Sequence, residues 1–230
     1  MASKPNENTV ASATFAPFKL VSTLLFSLTL LWFTSVAVHI AWVNFNKLPV
    51  DQHMESLIGY YVDKSASKGL IEEVATKTYW LVFEATSLQR LLASEPAAPR
   101  KDNIAIGQGI RRGIWAAYKP ELRTAAYATV LFGVKLGILL LALPLLAVLL
   151  LCFGVDGLVE RYIRRACGGH ESAALYHRAK LYGLKLMPPF AATVFLCSPV
   201  AYDPAWLLIP VTLFSALLLR VQAKYYKKYL

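Results

Sequence analysis

Four stretches of the chain are almost free of charge, at residues 20–43, 125–153, 184–201 and 204–219. A helix that crosses a bilayer needs about 20 predominantly apolar residues, so the first two are long enough as they stand. The last two are shorter. They approach the required length when Tyr182, Lys185, Tyr202 and Arg220 sit at the interfaces, where tyrosine rings and extended cationic side chains are favoured. Two crossings are expected there, with a re-entrant hairpin as the competing arrangement. The 24-residue apolar run of the first stretch exceeds the roughly 7–15 residues of a signal-peptide core, so an uncleaved anchor is expected. Pro144, Pro188-Pro189 and Pro210 predict kinks. Asp203-Pro204 predicts a helix start, with Asp as the cap and Pro in the first turn.

The segments between these stretches also read as helical. In residues 44–124, the spacing predicts an amphipathic helix over Gly69–Ala93 and another over Met54–Val62. Ser94–Pro99 is a linker rich in helix breakers, and Asn103–Lys119 is weaker because Gly107, Gly109 and Gly113 lower helix propensity. In residues 154–183, Leu158, Val159, Tyr162 and Ile163 make one apolar face, with Glu160, Arg161, Arg164 and Arg165 on the other side. Gly168-Gly169 supplies a helix stop, and a second helix carries Tyr176, His177 and Lys180. This segment predicts a helix–turn–helix lying on the membrane surface. The expected fold class is all-α. It is a polytopic membrane protein with four transmembrane helices, a helical extracytoplasmic region and a cytoplasmic helix–turn–helix loop.

Composition agrees with a membrane location. Of 230 residues 57% are hydrophobic and 17% charged, against about 45–50% and 25% in a soluble domain. The net charge of +10 is distributed unevenly. Residues 44–124 are close to neutral, with 11 cations and 9 acids, whereas the tail 220–230 has four cations and no acid. The loop at 154–185 holds six cations and three acids. Short basic loops stay in the cytoplasm. The 1–19 tail, the 154–183 loop and the 220–230 tail are therefore expected inside, and 44–124 outside. Cys152, Cys167 and Cys197 all avoid the translocated region, where an oxidising compartment would favour a disulfide.

Candidate chemistry is sparse. His170 and His177 lie near Cys167, but no second motif completes a metal site. Gly107, Gly109 and Gly113 lack the lysine of a phosphate loop, and no nucleophile elbow occurs. No catalytic, cofactor or metal residue is assigned, and no enzyme is expected. Lys135, inside the second stretch, is the most unusual single residue. Snorkelling to headgroups, a structural pair with a polar group on another chain, and an ion or proton path are its three readings. Ala125, Thr129, Gly133 and Gly137 recur every four residues, which lets helix backbones approach closely. Thr129, Gly133 and Gly137 are assigned to helix packing. Arg220, Lys224, Lys227 and Lys228 are assigned to the membrane surface, where anionic lipid attracts cations. Direct nucleic-acid binding is not expected.

The run Val155-Asp156-Gly157-Leu158-Val159-Glu160-Arg161, with Arg164-Arg165, Gly168-Gly169, His170-Glu171-Ser172 and Tyr176-His177-Arg178-Ala179-Lys180, resembles the integrating conjugative element membrane protein family. That is a family of unknown function from Gram-negative bacteria. The layout of one apolar stretch, a long loop and three more stretches is also similar. The resemblance implies an inner-membrane component of a type IV secretion-like DNA transfer system, encoded near the coupling ATPase. The expected role is a scaffold that partners the coupling ATPase or channel subunits. On this basis Arg161, Arg164, Arg165, Glu171, His177, Arg178 and Lys180 are assigned to partner docking. A small transporter or channel subunit is the alternative.

Overall fold

The computed structural model describes residues 7–65, 67–84, 105–167 and 172–226, and every regular element among them is helical. Helix α1 covers Glu7–Asn46 and α2 covers Val50–Asp63. Helix α3, Lys68–Tyr79, runs on into a wider π-helical turn at Trp80–Glu84. Helix α4 covers Ala105–Ala166. Helix α5, Ala173–Lys180, continues through a π-helical stretch, Leu181–Leu186, into α6, Met187–Cys197. Helix α7 covers Pro204–Lys224.

Among the described residues, three helices are long and apolar enough to cross a membrane: Val21–Asn46, Pro120–Ala166 and Pro204–Lys224. They contain the first, second and fourth apolar stretches. The third is built differently. Its regular α-helical part, α6, is 11 residues long, or about 16 Å at 1.5 Å per residue. The cause lies in Pro188-Pro189, whose missing N–H groups leave the carbonyls one turn earlier without α-helical partners. The chain widens there into the π-helical stretch.

Helix α4 also departs from the expected boundaries. It does not stop near residue 153 but continues to Ala166, passing through Pro120 and Pro144. The first helix of the expected helix–turn–helix is thus the end of α4. Gly168-Gly169, His170 and Glu171 lie outside the described residues. Helix α5 begins after Ser172, whose hydroxyl accepts a bond from Leu175 N.

Around the upper half of α4, helices α2 and α3 form a hairpin. The chain reverses between α1 and α2 at Lys47, which has a φ of 51°. Met54, Leu57 and Tyr61 recur on one face of α2 and are buried with Ile71 and Ala75 of α3, Ala128, Leu131 and Val134 of α4, and Phe195 of α6. Each large side chain removed from water in this way contributes about 1.5–3 kcal/mol. Helix α3 packs on α4 along its glycines. A Cβ on Gly133 would lie 2.7 Å from Ala75 Cα, and one on Gly137 would lie 3.2 Å from Ile71 Cα.

Candidate functional site

Two polar layers interrupt the apolar surface. The first surrounds the connection between α6 and α7. Lys135 is fully buried and points into the bundle, where its Nζ donates to Ser198 O at 2.6 Å. The ammonium lies 5.2 Å from the centre of the Tyr61 ring and 5.8 Å from that of Phe195. A carbonyl at a helix C-terminus and two ring faces are both favourable for a cation. Of the three readings of Lys135, the structural pair comes nearest, but the partner is a main-chain carbonyl of the same chain and not a polar group of another. Tyr61 Oη donates to Val200 O at 3.3 Å, and Ser35 Oγ donates to Leu196 O at 2.9 Å. Lys64 forms an ion pair with Asp203 at 2.7 Å, and Asp203 also caps α7 by accepting from Ala205 N at 3.0 Å. Hydrogen bonding to Lys64, then to Ala205 N, holds the Asp203 carboxyl below its usual range, and Asp203 raises Lys64 in return. Helices α1, α2 and α4 thus all grip residues 196–203.

The second layer lies at the far end of α4. Arg220 Nε is 2.6 Å from Asp156 Oδ2, and the same guanidinium bonds Glu160. Lys224 Nζ is 3.0 Å from Glu160 Oε2. Two acids four residues apart on α4 therefore face two cations four residues apart on α7. Gly157 lies between them at the crossing, where a Cβ would strike the Arg220 carbonyl and come within 2.8 Å of Ala223 Cβ. Beyond this quartet, Arg161 stacks over Tyr226 at 5.0 Å and Arg164 over Tyr225 at 4.8 Å. Tyr226 meets the Tyr176 ring edge-on at 5.8 Å, and Lys180 lies 5.8 Å above Tyr176.

The α4 and α5 side of this second layer, Asp156, Gly157, Glu160, Arg161, Arg164, Tyr176 and Lys180, is made of residues that carried the family resemblance. The family described as IncC plasmid conjugative DNA transfer protein DtrJ-like matches residues 60–227. The chain belongs to that family. The match covers most of the chain and takes in α3, α4, the α5–α6 run and α7. Family membership places the protein in conjugative DNA transfer, as the resemblance of residues 155–180 implied. No curated protein and no solved structure matches the chain.

The residues assigned from the sequence fall into several environments. Thr129 is buried and accepts from Trp32 Nε1 at 3.0 Å, while Gly133 and Gly137 lie against α3. Of the residues assigned to docking, Arg161 and Arg164 stack on the tail tyrosines, Lys180 lies over Tyr176, and Arg165, His177 and Arg178 are exposed. Glu171 lies outside the described residues. Of those assigned to the membrane surface, Arg220 and Lys224 are bound to carboxylates of α4, and Lys227 and Lys228 lie outside the described residues. Sequence reasoning passed over Asp156, Gly157 and Glu160 as a site. The signal was present in the matched spacing of Asp156 and Glu160 with Arg220 and Lys224.

Proposed function

We propose that the protein is a non-enzymatic structural component of the conjugative DNA transfer apparatus in the bacterial inner membrane, with both termini in the cytoplasm. The observation that carries this reading is the separation of the two polar layers along α4. Lys135 and Asp156 are 21 residues apart, or about 31 Å of helix, close to the ~30 Å hydrocarbon thickness of a bilayer. The α2–α3 hairpin then caps the periplasmic side, and the Asp156–Arg220 layer faces the cytoplasm. The excess of cations at the latter end supports that orientation.

Four crossings follow if the α5–α6 run traverses the same depth as α7. Tyr176 meets Tyr226 at one end of the pair, Gly183 packs on Leu218 further along, and residues 198–203 close the other end. The 25 residues of Ala173–Cys197 amount to about 37 Å at the α-helical rise, enough to span despite the π-helical stretch. The scaffold would use the exposed His177 and Arg178 of α5 to dock another transfer component, such as the coupling ATPase or a channel subunit.

A donor strain lacking the gene, complemented with variants, tests this reading. Replacing His177 and Arg178 by Glu should leave the protein in the membrane but reduce both DNA transfer and recovery of the coupling ATPase. Full transfer and full recovery with that variant would reject docking through α5.

A further inference from the structure

The charged end of α4 has its amphipathic faces reversed relative to a helix standing in water. Gly157, Glu160, Arg161 and Arg164 turn toward α7 and the tail. Val155, Leu158, Val159, Tyr162 and Ile163 are exposed, Tyr162 to 77%. Water would favour the opposite presentation. The exposed stripe lacks any charged residue, yet it continues about 10 Å of helix beyond Asp156 at the standard rise. Cations gather along its edge. Arg165 is exposed two turns along from Leu158 and only about 20° around the helix, and Arg161 reaches Lys180 through the Tyr226–Tyr176 contact. The two carboxylates at this end, Asp156 and Glu160, are bonded to Arg220 and Lys224. Among the described residues, Arg161, Arg165 and Lys180 make no ion pair.

We infer that this end of the molecule is a seat for an anionic glycerophospholipid of the cytoplasmic leaflet. The acyl chains run inward from Val155 and Leu158, while Val159, Tyr162 and Ile163 lie in the interfacial layer, which adds about 5–7 Å beyond the hydrocarbon on each side. The headgroup phosphate lies against Arg161, Arg165 and Lys180, with the tyrosine rings at headgroup depth. Guanidinium forks match phosphate oxygens, and tyrosines are favoured at the interface. A phospholipid carries phosphate and hydrocarbon side by side, as this surface requires. A nucleic acid or an acidic peptide would leave the apolar stripe in water. The inference rests on the membrane reading above and adds the lipid chemistry that the charged end selects.

The full-length protein, purified in a mild zwitterionic detergent, is titrated with dioleoyl-phosphatidylglycerol or dioleoyl-phosphatidylcholine, and bound lipid is read by native mass spectrometry. Preferential retention of phosphatidylglycerol is expected. The triple variant Arg161→Gln, Arg165→Gln, Lys180→Gln should bind it about 100-fold more weakly, at ~1 kcal/mol per cation, with phosphatidylcholine unchanged. Arg165→Gln alone, on an exposed side chain, should cost about 5-fold on the same scale, and this variant decides the matter if the triple variant fails to fold. Equal retention of the two lipids, or unchanged binding in Arg165→Gln, would overturn the inference. So would displacement of phosphatidylglycerol by inorganic phosphate or by a short single-stranded oligonucleotide. Absence of the wild-type protein from the membrane fraction would instead overturn the membrane reading itself.

Discussion

The tightest helix contact in the cap lies at Gly133, and adding one methyl group there tests the packing of α3 on α4. The Cβ of Gly133→Ala would sit 2.7 Å from Ala75 Cα and 3.1 Å from Thr78 Cβ. Carbon atoms pack at about 3.5–4.0 Å, so α3 must retreat by roughly 1 Å, since the nearest atom is backbone and cannot rotate away. Overpacking of this kind costs about 1–3 kcal/mol. Alanine returns about 1 kcal/mol in helix propensity, which leaves a net loss of up to about 2 kcal/mol. Two other glycines provide internal controls. At Gly137 the nearest atom would be 3.2 Å away, and at Gly59 nothing lies within 4 Å. Gly137→Ala should be close to neutral, and Gly59→Ala should gain about 0.5–1 kcal/mol. Thermal unfolding in one detergent should therefore rank Gly59→Ala highest, wild type and Gly137→Ala together, and Gly133→Ala lowest. A shift of roughly 2–4 °C per kcal/mol is expected for a chain of this size. Gly133→Ala melting at or above wild type would refute the close approach of α3 to α4.

Lys135→Met keeps the volume but removes the donor to Ser198 O, and a buried carbonyl left unpaired costs about 1–3 kcal/mol. The 196–203 connection should open more often, and alkylation of Cys197, in a background with Cys152 and Cys167 replaced by Ser, should speed up at least 5-fold; an unchanged rate would refute the grip. Arg220→Glu should destabilise the charged end through repulsion from Asp156 and Glu160, and the added change Asp156→Arg should restore part of the melting temperature; no restoration would argue against the pairing across α4 and α7. The Lys64–Asp203 bridge should weaken in acid. Because the folded Asp203 carboxyl is held below its unfolded value of about 3.9, its stabilisation is present above that pH and is lost as pH falls through the lower folded value. Asp203→Asn should remove this acid-dependent component of the melting curve, and an identical pH profile for both proteins would contradict it.

Much of the helical plan is legible in the sequence, because apolar runs, capping residues and glycine spacing act locally. The Asp203-Pro204 start and the amphipathic face of α2 are examples. The partner of Lys135 is not legible, because it is a main-chain carbonyl 63 residues away and every residue carries one. The periodicity of residues 158–165 separates two faces but does not say which one turns inward. Here the charged face turns in, because α7 and the tail bring Arg220, Lys224, Tyr225 and Tyr226 to meet it. The Gly157 crossing was hidden for the same reason, since only the approach of α7 makes that glycine necessary. The interruption of the third apolar segment follows from Pro188-Pro189, which the sequence marked as a kink without specifying the wider turn.

The central claim is that one polar layer faces the periplasm and the other faces the cytoplasm, with the apolar helices between them. Alkaline phosphatase, active only outside the cytoplasm, reports this directly when fused after residue 90, after residue 170 and at the end of the chain. The account predicts an active enzyme at the first position and inactive enzyme at the other two. Activity at the end of the chain would contradict four crossings and the cytoplasmic placement of the tail.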